Sequence, residues 1–392
     1  MKSDFFGKTS TSDLSSNPAE NPRPLSAVRI PALDGLRGVA VALILVHHRV
    51  ELSPMLNAPP GDALSYLRAA LVLTPSGVDL FFVLSGFLIG GILFDHRNSP
   101  RLLRTFYGRR FLRILPLAWI WIALNLWLFP HSSVASAPGP AWPYFTFTYN
   151  FKLAHLNHWG FGPLDSLWSL CIEEQFYLFL PWIVRAWPAR RLAWIGPAMI
   201  AIAWSARLAL VLLAPQRLFA SHVLTLFRLD VLGYGVTAAW LARSTAAHWV
   251  FSRRSALWIF LGINAVGLTY LVKIHASFLD VTYQLIGYPL VGIFYTLVLL
   301  LAYSASADWL GRALRVTPLL ALGRYSYFIY LFQATVAVLV IRPLLSRLAL
   351  PQAIYFWLSE ALLLPLLLVG LAWLSWRVVE GPLVRIGHRF RY

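Results

Sequence analysis

The chain has 392 residues, 58% of them hydrophobic and 12% charged, with a net charge of +17. Soluble domains carry about 25% charged residues, and one water-soluble core of this size would leave too much apolar surface exposed, so lipid is the solvent for most of the chain. The positive charge recurs in alternate connections between apolar runs rather than in one patch, which excludes nucleic acid as a partner, and a single cysteine, Cys171, excludes an internal disulfide or a cysteine metal cluster.

Residues 1–28 are polar, rich in Ser, Asn and Pro, and lack the apolar stretch of a signal peptide, so they are expected to form a flexible cytoplasmic tail. Residues 29–385 are expected to form one transmembrane domain. Apolar runs at about 36–50, 77–94, 111–129, 165–186, 192–213, 224–241, 256–273, 283–303, 318–341 and 354–376 predict ten spans. A spanning segment must satisfy its own backbone hydrogen bonds in lipid, so each is expected to be a helix. The fold class is therefore all-α, a polytopic membrane protein of about ten transmembrane helices. Arginines concentrate in the connections after spans 2, 4, 6 and 8 and in the C-terminal tail. That bias predicts cytoplasmic termini and a multi-pass protein of the bacterial plasma (inner) membrane. The longest connection, 130–164, is rich in Pro, Gly and aromatics and reads either as a binding loop or as a lid over helix ends.

Ionisable residues inside spans are costly, which makes each a functional candidate. In span 1, Asp34 and Arg37 share a face near the inner end, and His48 lies about 21 Å beyond Asp34 toward the outer end. His47 and His48 are about 100° apart around the helix and cannot both aim into one site. Span 2 begins with Asp79, followed by Ser85, and its Gly86, Gly90 and Gly91 permit close helix packing. Ser85 lies in no nucleophile elbow and reads as a hydrogen-bonding residue. Before span 3, Arg110 and Arg113 share a face and either anchor the helix at the membrane boundary or bind phosphates with their forked geometry. Span 4 carries the sequence Trp168, Ser169, Leu170, then Glu173 beside a second glutamate, which packing alone does not explain. Topology puts Asp79, His48 and Glu173 at similar depth, and a carboxylate beside a histidine orients an imidazole as a base. Span 6 begins with Arg228 and Asp230, which read as an ion pair, and Glu380 closes span 10 where it can meet the inner arginines.

Seven segments together resemble the acyltransferase type 3 family of bacterial membrane O-acyltransferases. They are RIPALDGLRGVAVALILVHH, GVDLFFVLSGFLIGG, YGRRFLRILP, SLWSLCIEEQFYLFLP, FRLDVLGYG, LGRYSYFIYLF and RVVEGPL, in family order between about Arg29 and Leu383. The family's arginine, ten residues and histidine fall on Arg37 and His48, and its paired arginines fall on Arg110 and Arg113. Gln333 stands where the family often has a histidine.

The resemblance implies transfer of an acyl group, acetyl being the expected one, from acyl-CoA to a hydroxyl of a carbohydrate, polysaccharide or glycolipid. Acyl-CoA enters as a co-substrate, with no bound cofactor and no metal, and membrane lipid surrounds the chain. His48 is the expected base, oriented by Glu173 or Asp79, with a covalent acyl-histidine as the variant. Arg37, Arg110 and Arg113 are expected to hold the acyl-CoA phosphates, and Asp34, Ser85, Trp168, Ser169, Arg228, Asp230 and Glu380 to support the site. Some members carry a fused extracytoplasmic domain; a chain ending at Tyr392 is expected to complete its chemistry within the membrane domain. A transporter or flippase of an acyl donor or lipid-linked sugar is the competing reading, against which stands the lack of matching interrupted helices in two halves.

Overall fold

The computed structural model describes residues 30–50, 73–129, 139–160, 162–274, 277–304, 308–346 and 357–392. The expected cytoplasmic tail lies outside the described residues. Among those residues the chain is all-α, carried by ten long helices: α1 (Pro31–Val50), α2 (Gly77–His96), α3 (Leu102–Leu128), α4 (Leu167–Ala186), α5 (Ile195–Leu213), α6 (Thr225–Leu241), α7 (Arg254–Lys273), α8 (Tyr288–Ser304), α9 (Thr317–Val336) and α10 (Leu364–Ser375). Each coincides with one of the apolar runs. Helix α1 starts at Pro31, five residues before its apolar run, which brings it to 20 residues and a length of about 30 Å.

Seven helices among the described residues are long and apolar enough to cross a membrane. The count is eight if the short helix Leu218–Val223 and α6, bent by 49°, form one broken span. About ten spans were expected. Helices α1 and α4 are less apolar, because Asp34, Arg37, His47 and His48 lower the hydropathy of one and Glu173 and Glu174 that of the other. Both are instead received by neighbouring helices.

Small residues set those contacts, as expected where lipid removes the hydrophobic drive between helices. Helix α1 packs on α9 with Gly38 against the Leu319 carbonyl and Gly323 against the Asp34 carbonyl; a Cβ at either glycine would sit about 2 Å from that oxygen. Helix α6 is packed between α2 and α5 and also meets α8. Its Gly235 meets the Val83 carbonyl of α2, and Gly86 of α2 meets the Leu232 carbonyl. Of the two other α2 glycines, Gly90 makes ordinary contacts, while Gly91 makes room for the Arg243 guanidinium, which pairs with Asp95 at 2.7 Å.

The described part of the long connection is an ordered lid. Two short helices, Trp142–Phe145 and Tyr149–Leu156, stack Tyr144 on Tyr149 at 4.4 Å. Tyr149 donates to Asp165 at 2.7 Å, and Gln175 of α4 donates to the Phe147 carbonyl at 2.8 Å. Burial pushes the Tyr144 phenol up to about 12.

Candidate active site

Helices α1, α2, α3 and α4 bring a polar cluster into the bundle. Ser85 of α2 donates to the Glu173 carboxylate of α4 and shares a 3.0 Å hydrogen bond with the Tyr177 hydroxyl one turn along α4. The Arg110 guanidinium lies over the Tyr177 ring at 5.5 Å and the Phe106 ring at 5.9 Å. Arg113, one turn on, has Arg37, Arg110, Tyr177 and Glu380 within electrostatic reach, and Glu173 is within reach of Arg110 and Arg37. Arg113 itself is exposed at the edge of this group. Arg37 pairs with Asp34 at 3.0 Å. Glu380 accepts from Ser375 at 3.1 Å in the π-helical turn Trp376–Glu380, which follows α10. The structure thus gathers Arg37, Arg110, Arg113, Glu173, Ser85 and Glu380 into one neighbourhood.

His48 lies elsewhere. It is eleven residues beyond Arg37 on the same face of α1, about 16 Å along the axis, because three helical turns take nearly eleven residues. Its Nδ1 meets the Ile44 carbonyl at 2.9 Å. A carbonyl only accepts, so Nδ1 carries the proton and the lone pair sits on Nε2. The expected hydrogen bond between Glu173 or Asp79 and His48 is not among the contacts of either carboxylate. Glu173 lies deeper, with the arginines, and Asp79 is taken up by Arg228.

The expected Arg228–Asp230 pair is also replaced. Residues two apart point to opposite sides of a helix; Arg228 reaches across to Asp79 of α2, and Asp230 reaches Arg207 of α5 at 2.8 Å. All four residues are buried. The Tyr288 ring lies under both guanidiniums, at 4.4 Å from Arg228 and 4.5 Å from Arg207. Ser169 shares a 2.5 Å hydrogen bond with Tyr330, and the Trp168 ring meets His222 at 4.6 Å. Gln333 is buried and donates to the Tyr330 carbonyl at 3.4 Å, while its Oε1 has no partner.

The sequence reading missed Arg207, Tyr177, Tyr288 and His222. Arg207 had a usable signal, an arginine in the middle of an apolar run; the others are ordinary residues until their neighbours are known. Among the described residues no three His, Cys, Asp or Glu side chains are grouped to hold a metal ion. An apolar cleft of about 380 Å³ opens on another face of α1, between Leu36, Leu43, Leu80, Leu268 and Phe294, and no charged side chain lines it.

Peptidoglycan O-acetyltransferase OatA of Listeria monocytogenes is 25% identical over 385 residues, which cover 91% of this chain and 56% of OatA. Bacillus subtilis YrhL, provisionally assigned as a peptidoglycan O-acetyltransferase, is 36% identical over 163 residues, 39% of this chain and 23% of YrhL. A Staphylococcus aureus protein (strain COL), provisionally assigned as an O-acetyltransferase, is 32% identical over 169 residues, 40% of this chain and 24% of that protein. The chain thus spans about half of OatA's length, and its matches to the other two cover about a quarter of each. No solved structure matches the chain. The model of the acyltransferase domain matches residues 30–378, and on that match, which takes in every helix described above except the last turns, the chain belongs to the acyltransferase type 3 family.

Proposed function

We propose that the protein is a membrane O-acyltransferase that moves an acyl group of acetyl size from acyl-CoA to a hydroxyl of a carbohydrate acceptor. The observation that carries this reading is the gathering of Arg110 and Arg113 of α3 with Arg37 of α1, which shares a helix face with His48. Three guanidiniums make a good seat for the phosphates of CoA, each offering a rigid fork of donors. Peptidoglycan, named for OatA and YrhL, is the first acceptor to test.

The proposed reaction runs along α1. The CoA phosphates bind at the arginines, with the cytoplasmic face as the entry side and both termini on that side. The pantetheine arm extends past Glu173 toward the outer end, spanning the 16 Å or so that separate Arg37 from His48. His48 Nε2 removes the proton of the acceptor hydroxyl as its oxygen attacks the thioester carbonyl carbon. The carbon–sulfur bond breaks, and the thiolate leaves with the proton as free CoA. Glu173 holds Ser85 and Tyr177 in place and balances charge among the arginines.

The test is acceptor-dependent release of free thiol from acetyl-CoA by the purified protein in nanodiscs, with peptidoglycan fragments or lipid-linked sugars as acceptors. His48→Ala is expected to lose a factor of about 10²–10⁴ in kcat, the usual contribution of a general base, while His47→Ala retains far more. Equal activity of the two variants would remove His48 from the mechanism. Passage of intact donor across the membrane without thiol release would replace the enzyme reading with a transporter.

A further inference from the structure

A second constellation sits at the end of the bundle where α4, α6 and α8 begin. His222, in the short helix Leu218–Val223, is walled by aromatic rings: Trp168 at 4.6 Å, Phe278 at 4.5 Å and Trp159 of the lid at 5.8 Å, with Phe219 against Trp159 at 5.0 Å. Trp159 is 41% exposed, so one wall is open. His222 Nδ1 meets the Tyr288 hydroxyl at 2.8 Å. His47, beside His48 on α1, is within electrostatic reach of His222, which puts this cluster next to the proposed base.

The protonation of His222 follows from the charges behind Tyr288. Two guanidiniums lie over the ring, at 4.4 and 4.5 Å, and positive charge there favours the hydroxyl as donor over acceptor. Tyr288 therefore donates to Nδ1, and the imidazole proton resides on Nε2. Nε2 makes no hydrogen bond to another described residue, and His222 is not fully buried. The buried pairs Asp79–Arg228 and Arg207–Asp230 thus stand directly behind the Tyr288–His222 contact.

We propose that this cluster is the acceptor subsite, a saccharide-binding box in which the apolar C–H face of a sugar ring packs on Trp159 and the His222 Nε2–H donates to a sugar oxygen. Aromatic walls with one aimed polar group fit an amphipathic sugar ring, which presents C–H bonds on its faces and hydroxyls at its edge. A lipid tail has no use for the donor, and an anion would be repelled by the rings' electron-rich faces. This assignment rests on the acyl-transfer reading for its purpose, though not for its chemistry.

The experiment reads binding and turnover separately. Tryptophan fluorescence of the protein in nanodiscs is titrated with soluble peptidoglycan fragments and, in parallel, with maltotetraose. Acceptor KM and kcat are then measured for the wild type, Trp159→Ala, His222→Phe and His222→Gln. The expected result is quenching by one of the saccharides, weakened at least about tenfold in Trp159→Ala and His222→Phe. Acceptor KM is expected to rise by a similar factor with a smaller change in kcat. His222→Gln, whose amide N–H reaches the place of Nε2–H, should recover much of the loss. Thermal unfolding in detergent selects the variants that are folded. Saccharide binding without any acyl transfer would keep this subsite and sink the enzymatic reading. Normal acceptor KM and quenching in folded Trp159→Ala and His222→Phe would overturn the subsite and leave the enzymatic reading standing.

Discussion

A buried guanidinium deprived of its carboxylate is far more costly than the pair is valuable. Arg228 with Asp79, and Arg207 with Asp230, are such pairs, enclosed by helices α2, α5 and α6. Asp79→Leu or Arg228→Met alone is expected to cost about 3–5 kcal/mol, and the double substitution to recover most of it; unfolding of the four proteins in detergent checks this. If the double variant is as unstable as the sum of the singles, the pair is not the unit. Residue identities in this region were legible in the sequence, because charge inside an apolar run stands out. Their partners were not: Asp79 and Arg228 are 149 positions apart, and only the crossing of α2 and α6 brings them together. The same holds for Glu173. Its depth in α4 can be read from the sequence only as a fraction of a helix, and the difference between facing His48 and facing Ser85 is a turn or two.

At the scale of elements, the contacts that matter most are made by residues without side chains. Gly38 and Gly323 let α1 and α9 touch backbone to backbone. Gly38→Val is expected to lower stability by about 1–3 kcal/mol or more by overpacking, and Gly90→Ala to be tolerated, since its nearest neighbours lie at 3.5 Å. Thermal unfolding of both would decide, and equal loss would mean the helices can slide apart at no cost. The sequence offered Gly86, Gly90 and Gly91 as equals, and no local signal ranks them, because what a glycine must admit belongs to the opposite helix. The lid makes a prediction of its own. The Tyr144 phenol holds its proton to about pH 12 in the folded lid but to about 10 in an unfolded chain. Its contribution is therefore complete below about pH 10 and lost between 10 and 12. Limited proteolysis of the lid against pH should show that loosening, and Tyr144→Phe should remove the part due to this group.

At the scale of the molecule, the long helices among the described residues were legible because lipid imposes length and apolarity on anything that crosses it, though seven or eight rather than ten meet that measure. The two that break that rule, α1 and α4, carry Arg37, His48 and Glu173. A helix with such residues cannot face lipid comfortably and must be enclosed by others. That enclosure sets a timetable for synthesis. Helix α1 leaves the ribosome before the other nine, yet its backbone partner is α9, and their touching glycines are about 285 residues apart. At synthesis rates of about 5–20 residues per second, roughly 15 to 60 seconds pass before that partner exists. During this interval the nascent α1 must wait at the membrane surface, in the insertion machinery or in a provisional partnership with α2. Helix α1 is thus among the last to settle, and a chain stalled before α9 would present Asp34 and Arg37 as a signal of unfinished assembly.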